Sequence, residues 1–253
     1  FDMFWGLNGA TDIPRLTQAR AIPATSMDLP TFEPAPWIMI ALVIAAPFGH
    51  FIGAHAARGK SMNTPAHLIF GLTAFGRAGR PAVTTAALAG ALIPDLSLYV
   101  LSVWHLLILG NTPEVVFGQL YYSDNWQSIF RIDNSMILWG IGFAIGAMVR
   151  SPVTIALCGA ALLHLGFDFL LHNDDGRAHF WPLSNWVFQS PLSYWDPDHY
   201  GNVAGAVEVA LSLLCCGILW QRFVNRWMRG LIVMLGASEF APFVVFGVMF
   251  AGA

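Results

Sequence analysis

The sequence predicts an all-α fold: a polytopic membrane helical bundle with about six to seven membrane segments, some of them short helical hairpins. Three observations support this class. Of the 253 residues, 56% are hydrophobic and 11% are charged, whereas a soluble domain carries about 25% charged residues. The mean hydropathy is +0.59. The apolar residues lie in long runs, and arginine-bearing loops alternate with acidic loops between those runs.

The apolar runs set the order of the predicted helices. The first run, 36–56, is long enough to cross a hydrocarbon core about 30 Å thick. The later runs are 65–76, 82–93, 96–109, 134–149, 152–171, 203–220 and 230–252.

Two pairs of these runs are predicted to form antiparallel hairpins. The runs 134–149 and 152–171 are separated by only two residues. The runs 65–76 and 82–93 are separated by a similarly short linker. Because the linkers are short, the second helix of each pair must pack antiparallel beside the first.

Loop charge predicts the orientation in a cell inner membrane that the chain crosses several times. Arginines fall in alternate loops, and the positive-inside rule places those loops in the cytoplasm. They are Arg77, Arg80, Arg150, Arg222, Arg226 and Arg229. The loops 110–133 and 172–202 are mostly acidic and are predicted on the periplasmic side. Arg58 and Lys60 conflict with this scheme, because the first hairpin places their loop outside.

Two histidines and two aspartates are predicted to converge at the outer face. His164 and Asp168 are four residues apart, so they share one helix face. His67 begins one helix of the first hairpin and Asp95 ends the other, so they meet at one membrane face. Together they form a ligand set suited to zinc, iron or manganese. A hydrogen bond between His164 and Asp168 that only closes a helix end is the alternative.

The residues around this set resemble the YdjM-type family of membrane-bound metal-dependent hydrolases. The family pattern has a His just after the initiating Met and a Pro-Asp after the next apolar run. A His-rich element follows, and then a His-x-x-x-Asp with a Gly and a Trp-Pro-Phe-Ser-like stretch. Here "MNTPAHLIFG" contains His67, "IPDLS" contains Asp95, and "HLGFDFLLHNDDGRAHFWPLS" contains His164 and Asp168. The resemblance covers residues 62–190 and implies a divalent metal site.

The third element of the family pattern is altered in this chain. Where the family has His-Arg-Gly-x-Thr-His-Ser, residues 130–140 read "FRIDNSMILWG". The arginine and the serine are present, but both histidines are missing. Either the site is no longer catalytic, or another side chain completes the ligand set. The candidates are Asp133, Asn134, His172 and His179.

The resemblance also divides the chain into two regions. The family pattern begins at the position of Met62. Residues 1–61 are therefore predicted to be an N-terminal tail plus one added transmembrane helix. Residues 62–253 are predicted to be a hydrolase-like membrane helical core.

Two functions remain open at this point, and with them whether the chain is an enzyme. The first is a metal-dependent hydrolase that acts at the membrane surface on a lipid or lipid-linked ester. The converging residues would bind the metal, and three others are candidates for proton transfer: His172, Asp175 and His179.

The alternative is a non-catalytic accessory subunit of a larger membrane complex, such as a photosynthetic or respiratory assembly, with other subunits docking on 1–61. The partners are the lipid bilayer and such subunits. Nucleic acid is not expected, because the net charge is −3 and no basic stretch is present.

Overall fold

A computed structural model describes residues 64–194 and 196–240, and these residues are helical without a β-strand. The all-α prediction is confirmed for them. The predicted transmembrane helix at 36–56 and the whole N-terminal segment 1–61 lie outside the described residues. The α-helices are α1 Thr64–Phe75, α2 Pro81–Val103, α3 Pro113–Val115, α4 Asp124–Asp133, α5 Met136–Met148, α6 Pro152–Leu171, α7 Gly201–Arg222 and α8 Arg226–Ser238. Short π-helical segments, Trp104–Ile108 and Val116–Leu120, continue α2 and α3.

Three of the described helices are long and apolar enough to cross a membrane. They are α2 with its π-helical continuation, α6 and α7. The helix α1 is apolar but shorter, with 12 residues. The predicted six to seven membrane segments are therefore not confirmed.

One reason for the smaller number is that Pro94 does not end α2. The sequence predicts two segments, 82–93 and 96–109, but one continuous helix passes through the proline. A proline lacks an N–H and disrupts the helical hydrogen bonds around it. Here side chains from other helices bond to that backbone: His164 Nδ1 donates to the Ala91 carbonyl at 2.7 Å, and Asn134 Nδ2 donates to the Pro94 carbonyl at 3.1 Å. Neighbouring groups of this kind make proline tolerable inside membrane helices.

Both predicted hairpins are present, and small residues bring their helices close together. In the hairpin of α1 and α2, a Cβ added at Gly71 would lie 2.8 Å from the Ala91 Cβ. In the hairpin of α5 and α6, a Cβ at Gly146 would lie 3.0 Å from Thr154. The turn between α5 and α6 is closed by Ser151, whose hydroxyl accepts a hydrogen bond from the Thr154 N–H.

The helix α1 packs against both α2 and α6 and runs antiparallel to each. Its first turn contacts the middle of α2, through Thr64 with Asp95, and the last turns of α6, through His67 with Asp168. Its last turn contacts the early turns of α6, where Phe75 packs against Gly159. The helices α2 and α6 are therefore parallel, and the start of α1 lies beside the polar residues near the end of α6.

The short turns gather at one end of the described bundle. Arg222 closes α7 and donates through Nη1 to the carbonyls of Thr73 at 2.6 Å and Gly76 at 3.1 Å, at the end of α1. We call this end, with the turns 76–80, 149–151 and 223–225, the arginine end. The segment 172–200 lies at the opposite end, which we call the loop end. The alternation of loops agrees with this arrangement, while the inner membrane and the periplasmic side remain predictions.

The segment 110–133, predicted as a loop, contains helical structure. The helix α4 begins after Ser123, whose hydroxyl accepts a hydrogen bond from the Trp126 N–H. Trp126 and Phe130 are buried against Leu98 of α2 and Val116. The helix is only 10 residues long, and it is stable because one face packs on α2, which a local pattern does not reveal.

Candidate metal centre

The structure brings together the four residues predicted as metal ligands, which we call the His–Asp cluster: His67, Asp95, His164 and Asp168. His67 Nε2 lies 3.2 Å from Asp168 Oδ1, and His164 Nε2 lies 3.1 Å from Asp168 Oδ2. Asp95 Oδ1 is 3.7 Å from His164 Nε2. All four side chains are buried. His67, His164 and Asp168 offer ligand atoms within 4.8 Å of one another, so these three residues can hold a metal ion.

The orientation of His164 is set by a backbone carbonyl. A carbonyl can only accept, so the 2.7 Å contact with Ala91 O places a proton on His164 Nδ1. In the neutral imidazole, Nε2 then presents its lone pair to the carboxylates of Asp95 and Asp168. A histidine that ligates a metal is usually oriented in this way, through the nitrogen that does not bind the metal. The ring of His67 stacks on that of His164 with centroids 3.8 Å apart.

The cluster contains buried polar atoms that make no hydrogen bond. They are His67 Nδ1, His164 Nε2 and Asp168 Oδ1. Leaving such atoms unsatisfied costs about 1–3 kcal/mol each. A histidine lone pair that faces carboxylate oxygens needs a cation between them, which is either a proton or a metal ion.

The separations between the donor atoms fit a shared metal ion. Charge-assisted hydrogen bonds between nitrogen and carboxylate oxygen are usually about 2.7–2.9 Å long. Two ligands of one tetrahedral zinc ion lie about 3.3 Å apart at ordinary bond lengths. The observed 3.1 and 3.2 Å separations to Asp168 lie between these two values. The residues present therefore fit a divalent ion.

Asp95 is held by a hydroxyl from α1. Thr64 Oγ1 donates to Asp95 Oδ2 at 2.6 Å, and the same hydroxyl contacts the hydroxyl of Tyr99. One carboxylate oxygen is thus occupied, while the other faces His164. The sequence does not place Thr64 or Tyr99 in the site. The position of Thr64 beside Pro65, at a helix start, is the available signal, but it indicates a helix cap rather than a contact with a second helix.

Two of the three residues predicted for proton transfer adjoin the cluster. His172 Nδ1 donates to the Asp168 carbonyl at 2.9 Å and lies 3.7 Å from Asp168 Oδ1. Its Nε2 is 3.8 Å from Asp175 Oδ2. Both side chains are buried. His172 therefore lies between the carboxylates of Asp168 and Asp175.

The third, His179, lies on the side of α4 and α5. Its Nδ1 donates to the Asn134 carbonyl at 3.1 Å, and its own carbonyl accepts from the Met136 N–H at 2.8 Å. Burial lowers the pKa of His179, so its imidazole is neutral near pH 7. Burial raises the pKa of Asp133, the residue before Asn134. Of the four possible replacements for the missing imidazoles, only His172 has a described contact with a cluster residue.

Two further side chains at the loop end are not anticipated from the sequence. The buried ring of Tyr194 lies edge-on to the rings of His67 and His172, with centroids 6.2 and 5.7 Å away. Burial, followed by the Asp168 carboxylate, raises the pKa of the Tyr194 hydroxyl, which stays protonated. The Arg177 guanidinium is buried over the Phe130 ring, 4.2 Å from its centroid. Both residues lie in a long loop without periodicity, so no local signal marks them.

The comparisons with known proteins add no relative to this description. No protein-family model, no curated protein and no solved structure matches the chain. The resemblance to the YdjM-type hydrolases stays a prediction that rests on the sequence elements quoted above.

Proposed function

We propose that the chain is a metal-dependent hydrolase that acts at the membrane surface on a lipid or lipid-linked ester. The observation that carries the proposal is the buried group of His67, His164 and Asp168, whose ligand atoms lie within 4.8 Å of one another. Two imidazoles and one carboxylate with an open position are the usual protein ligands of a catalytic zinc ion. Asp95 is the candidate fourth ligand, or else orients His164.

A bound divalent ion would polarise an ester or phosphoryl oxygen and lower the pKa of a water molecule. The chain's own residues supply proton transfer. His172 carries its proton on Nδ1, because Nδ1 donates to a carbonyl, and its Nε2 is directed toward Asp175. His172 Nε2 can take up a proton, and the Asp175 carboxylate stabilises the imidazolium that results. With a metal ion bound, His67 and His164 would coordinate it as neutral imidazoles.

The location of the cluster favours a lipid substrate. Asp168 lies one turn before the end of α6, a helix long enough to cross a membrane. On α6 the cluster therefore lies near the loop end of the bundle, from which a lipid headgroup region would be reached. The surrounding side chains include the apolar rings of Phe70 and Phe167, and Phe167 packs 6.3 Å from the His67 ring.

Metal analysis of the full chain, purified in detergent, tests the proposal. We expect about one divalent ion per chain in the native protein, and its loss in His164→Ala and Asp168→Asn, because each change removes a ligand. His105→Ala is the matched control. His105 is also a histidine of a membrane helix, but it contacts Asn111 and Trp126 rather than the cluster.

Metal content should also fall as the pH is lowered, because a proton competes with the ion for each imidazole. Ester hydrolysis in lipid vesicles should follow metal content across these samples. A native protein without bound metal, which takes up none when zinc, iron or manganese is supplied, would contradict the proposal. The cluster would then be a network of protonated histidines and carboxylates that joins three helices.

A further inference from the structure

An apolar groove of about 370 Å³ adjoins the His–Asp cluster. Its walls come from α6, α7 and the loop before α7, with Phe70 of α1 at the base. Among the residues that line it, Glu208 has the one carboxylate, and the others are apolar or aromatic. The volume lies within the range of small-molecule sites, about 300–1,000 Å³.

The groove extends down the helix α7 from the loop end. Tyr200, just before α7, and Leu211 both line it. Leu211 is eleven residue steps after Tyr200, which is about 16 Å along the helix axis. One leaflet contributes about half of a 30 Å hydrocarbon core. The groove residues on α7 thus span a length close to the thickness of one leaflet.

The outer wall of the groove is open toward the membrane. Val203 is 60% exposed, Val207 is 52% exposed and Leu211 is 43% exposed. They lie on α7, a helix long and apolar enough to cross a membrane. In a membrane that α7 crosses, this wall would face lipid hydrocarbon.

The upper end of the groove adjoins the cluster through two aromatic rings, and the four cluster residues do not line the groove themselves. Tyr194 and Phe167 line the groove, and their rings lie 6.2 and 6.3 Å from the ring of His67. His67 Nδ1 is buried and makes no hydrogen bond. A molecule in the groove would therefore have its upper end beside a polar atom that lacks a partner.

We propose that this groove binds one acyl chain of a membrane lipid, with the chain's ester group at Tyr194 and His67 and its methyl end near Leu211. The apolar lining and the leaflet-like length of the groove along α7 carry this inference, together with the contact of Tyr194 and Phe167 with the ring of His67. Binding of the acyl chain does not require a metal ion. The interpretation of the ester group beside the cluster as the bond that is hydrolysed rests on the proposed hydrolase function. The groove therefore indicates that the substrate is an acyl lipid.

Photo-crosslinking in nanodiscs of phosphatidylglycerol tests the inference on the full chain. Two phosphatidylglycerol probes carry a diazirine, one near the acyl carbonyl and one near the acyl terminus. We expect the first probe to label peptides with Tyr194 and Tyr200, and the second to label peptides with Val207 and Leu211. An equal distribution of both probes over the exposed faces of α7 would overturn the proposal.

A matched pair of substitutions separates the groove from the general lipid surface. Ala204→Trp fills the groove and should reduce crosslinking at these positions about tenfold. Ala206→Trp adds the same side chain two residues further along α7, at an exposed position that does not line the groove, and should leave the yield unchanged. Val207→Trp, at a half-exposed position, provides a second groove variant if Ala204→Trp does not fold. Equal yields from the folded groove variants and Ala206→Trp would overturn the inference.

Metal content, measured on the same samples, distinguishes the two proposals. Groove variants should keep the metal, because none of them changes a residue of the His–Asp cluster. Crosslinking in the groove without any bound metal would leave the acyl site standing and contradict the hydrolase. Bound metal without position-specific crosslinking would leave the hydrolase proposal standing and overturn the acyl site. Occupation of the groove by a second copy or by residues 241–253 would exclude the probes and overturn the acyl site.

Discussion

At the scale of single residues, the chemistry depends on which atom of each side chain faces the cluster. His164 donates from Nδ1 to a carbonyl of α2, so Nε2 faces Asp95 and Asp168. The i to i+4 spacing of His164 and Asp168 is evident from the sequence. The tautomer is not, because the Ala91 carbonyl that sets it is 73 residues away in the chain.

Thr64 holds Asp95 in place, and its hydroxyl should matter for stability. Thr64→Val preserves the shape but leaves a buried carboxylate oxygen without its donor, so the free energy of unfolding should fall by about 1–3 kcal/mol. Unfolding in detergent measures this. Thr73→Val is the control: Thr73 donates to the Ile69 carbonyl of its own helix at 2.7 Å, and its loss should cost less than about 1 kcal/mol. Equal losses in the two variants would mean that the Asp95 contact is not important for stability.

Asn134 occupies the region where the resembling family supplies imidazole. Its side chain donates to the carbonyl of Pro94, next to Asp95. Asn134→His should therefore raise the affinity for a divalent ion, measured by metal titration of the purified protein. Asn134→Ala removes the same hydrogen bond without adding an imidazole, and should not raise the affinity. A higher affinity in both variants would mean that the loss of the hydrogen bond, and not the added imidazole, causes the change.

At the scale of helices, the contact between α2 and α6 is the one that positions the site. The backbone of Gly90 touches the backbone of Leu157, and a Cβ there would overlap the Leu157 carbonyl oxygen. The close approach brings the His164 ring to Ala91 and Asp95. Small residues at such positions let membrane helices pack through their backbones.

Gly90→Ala should therefore destabilise the protein by at least about 1–3 kcal/mol, the usual cost of overpacking, and should weaken metal binding as the helices separate. The comparison is Gly166→Ala in α6, where nothing lies within 4 Å of an added Cβ. That change should be neutral or stabilising by up to about 1 kcal/mol, since alanine is the better helix former. Unfolding in detergent measures both. A tolerated Gly90→Ala would show that the two helices can separate without cost.

At the scale of the whole molecule, the arginine end and the loop end should lie on opposite sides of the membrane. We expect Asp198→Cys to be labelled by an impermeant thiol reagent from the periplasmic side, and Arg226→Cys only after the membrane is permeabilised. Both positions are exposed, and the native Cys158, Cys215 and Cys216 are first replaced by alanine. The reverse pattern would invert the predicted orientation. Labelling of both from the same side would contradict the separation of the two ends.

The sequence by itself determined the fold class, both hairpins and the convergence of the His–Asp cluster. These follow from local signals: apolar run length, linker length, and polar residues at the ends of apolar runs, which short linkers bring together. The prediction that Asp95 ends a helix is wrong, because Asp95 lies inside α2. It did not predict that α2 continues through Pro94, because the hydrogen bonds that compensate for the proline come from His164 and Asn134.

Only the tertiary structure decided the donor geometry of the cluster and the groove beside it. Thr64, Tyr194 and Arg177 reach their partners across helices or from a long loop, so their roles depend on contacts far apart in the chain. The groove likewise lies between α6 and α7, which both pack against α1. Local patterns record which residues a helix buries, whereas the space left between two helices depends on how both pack against a third.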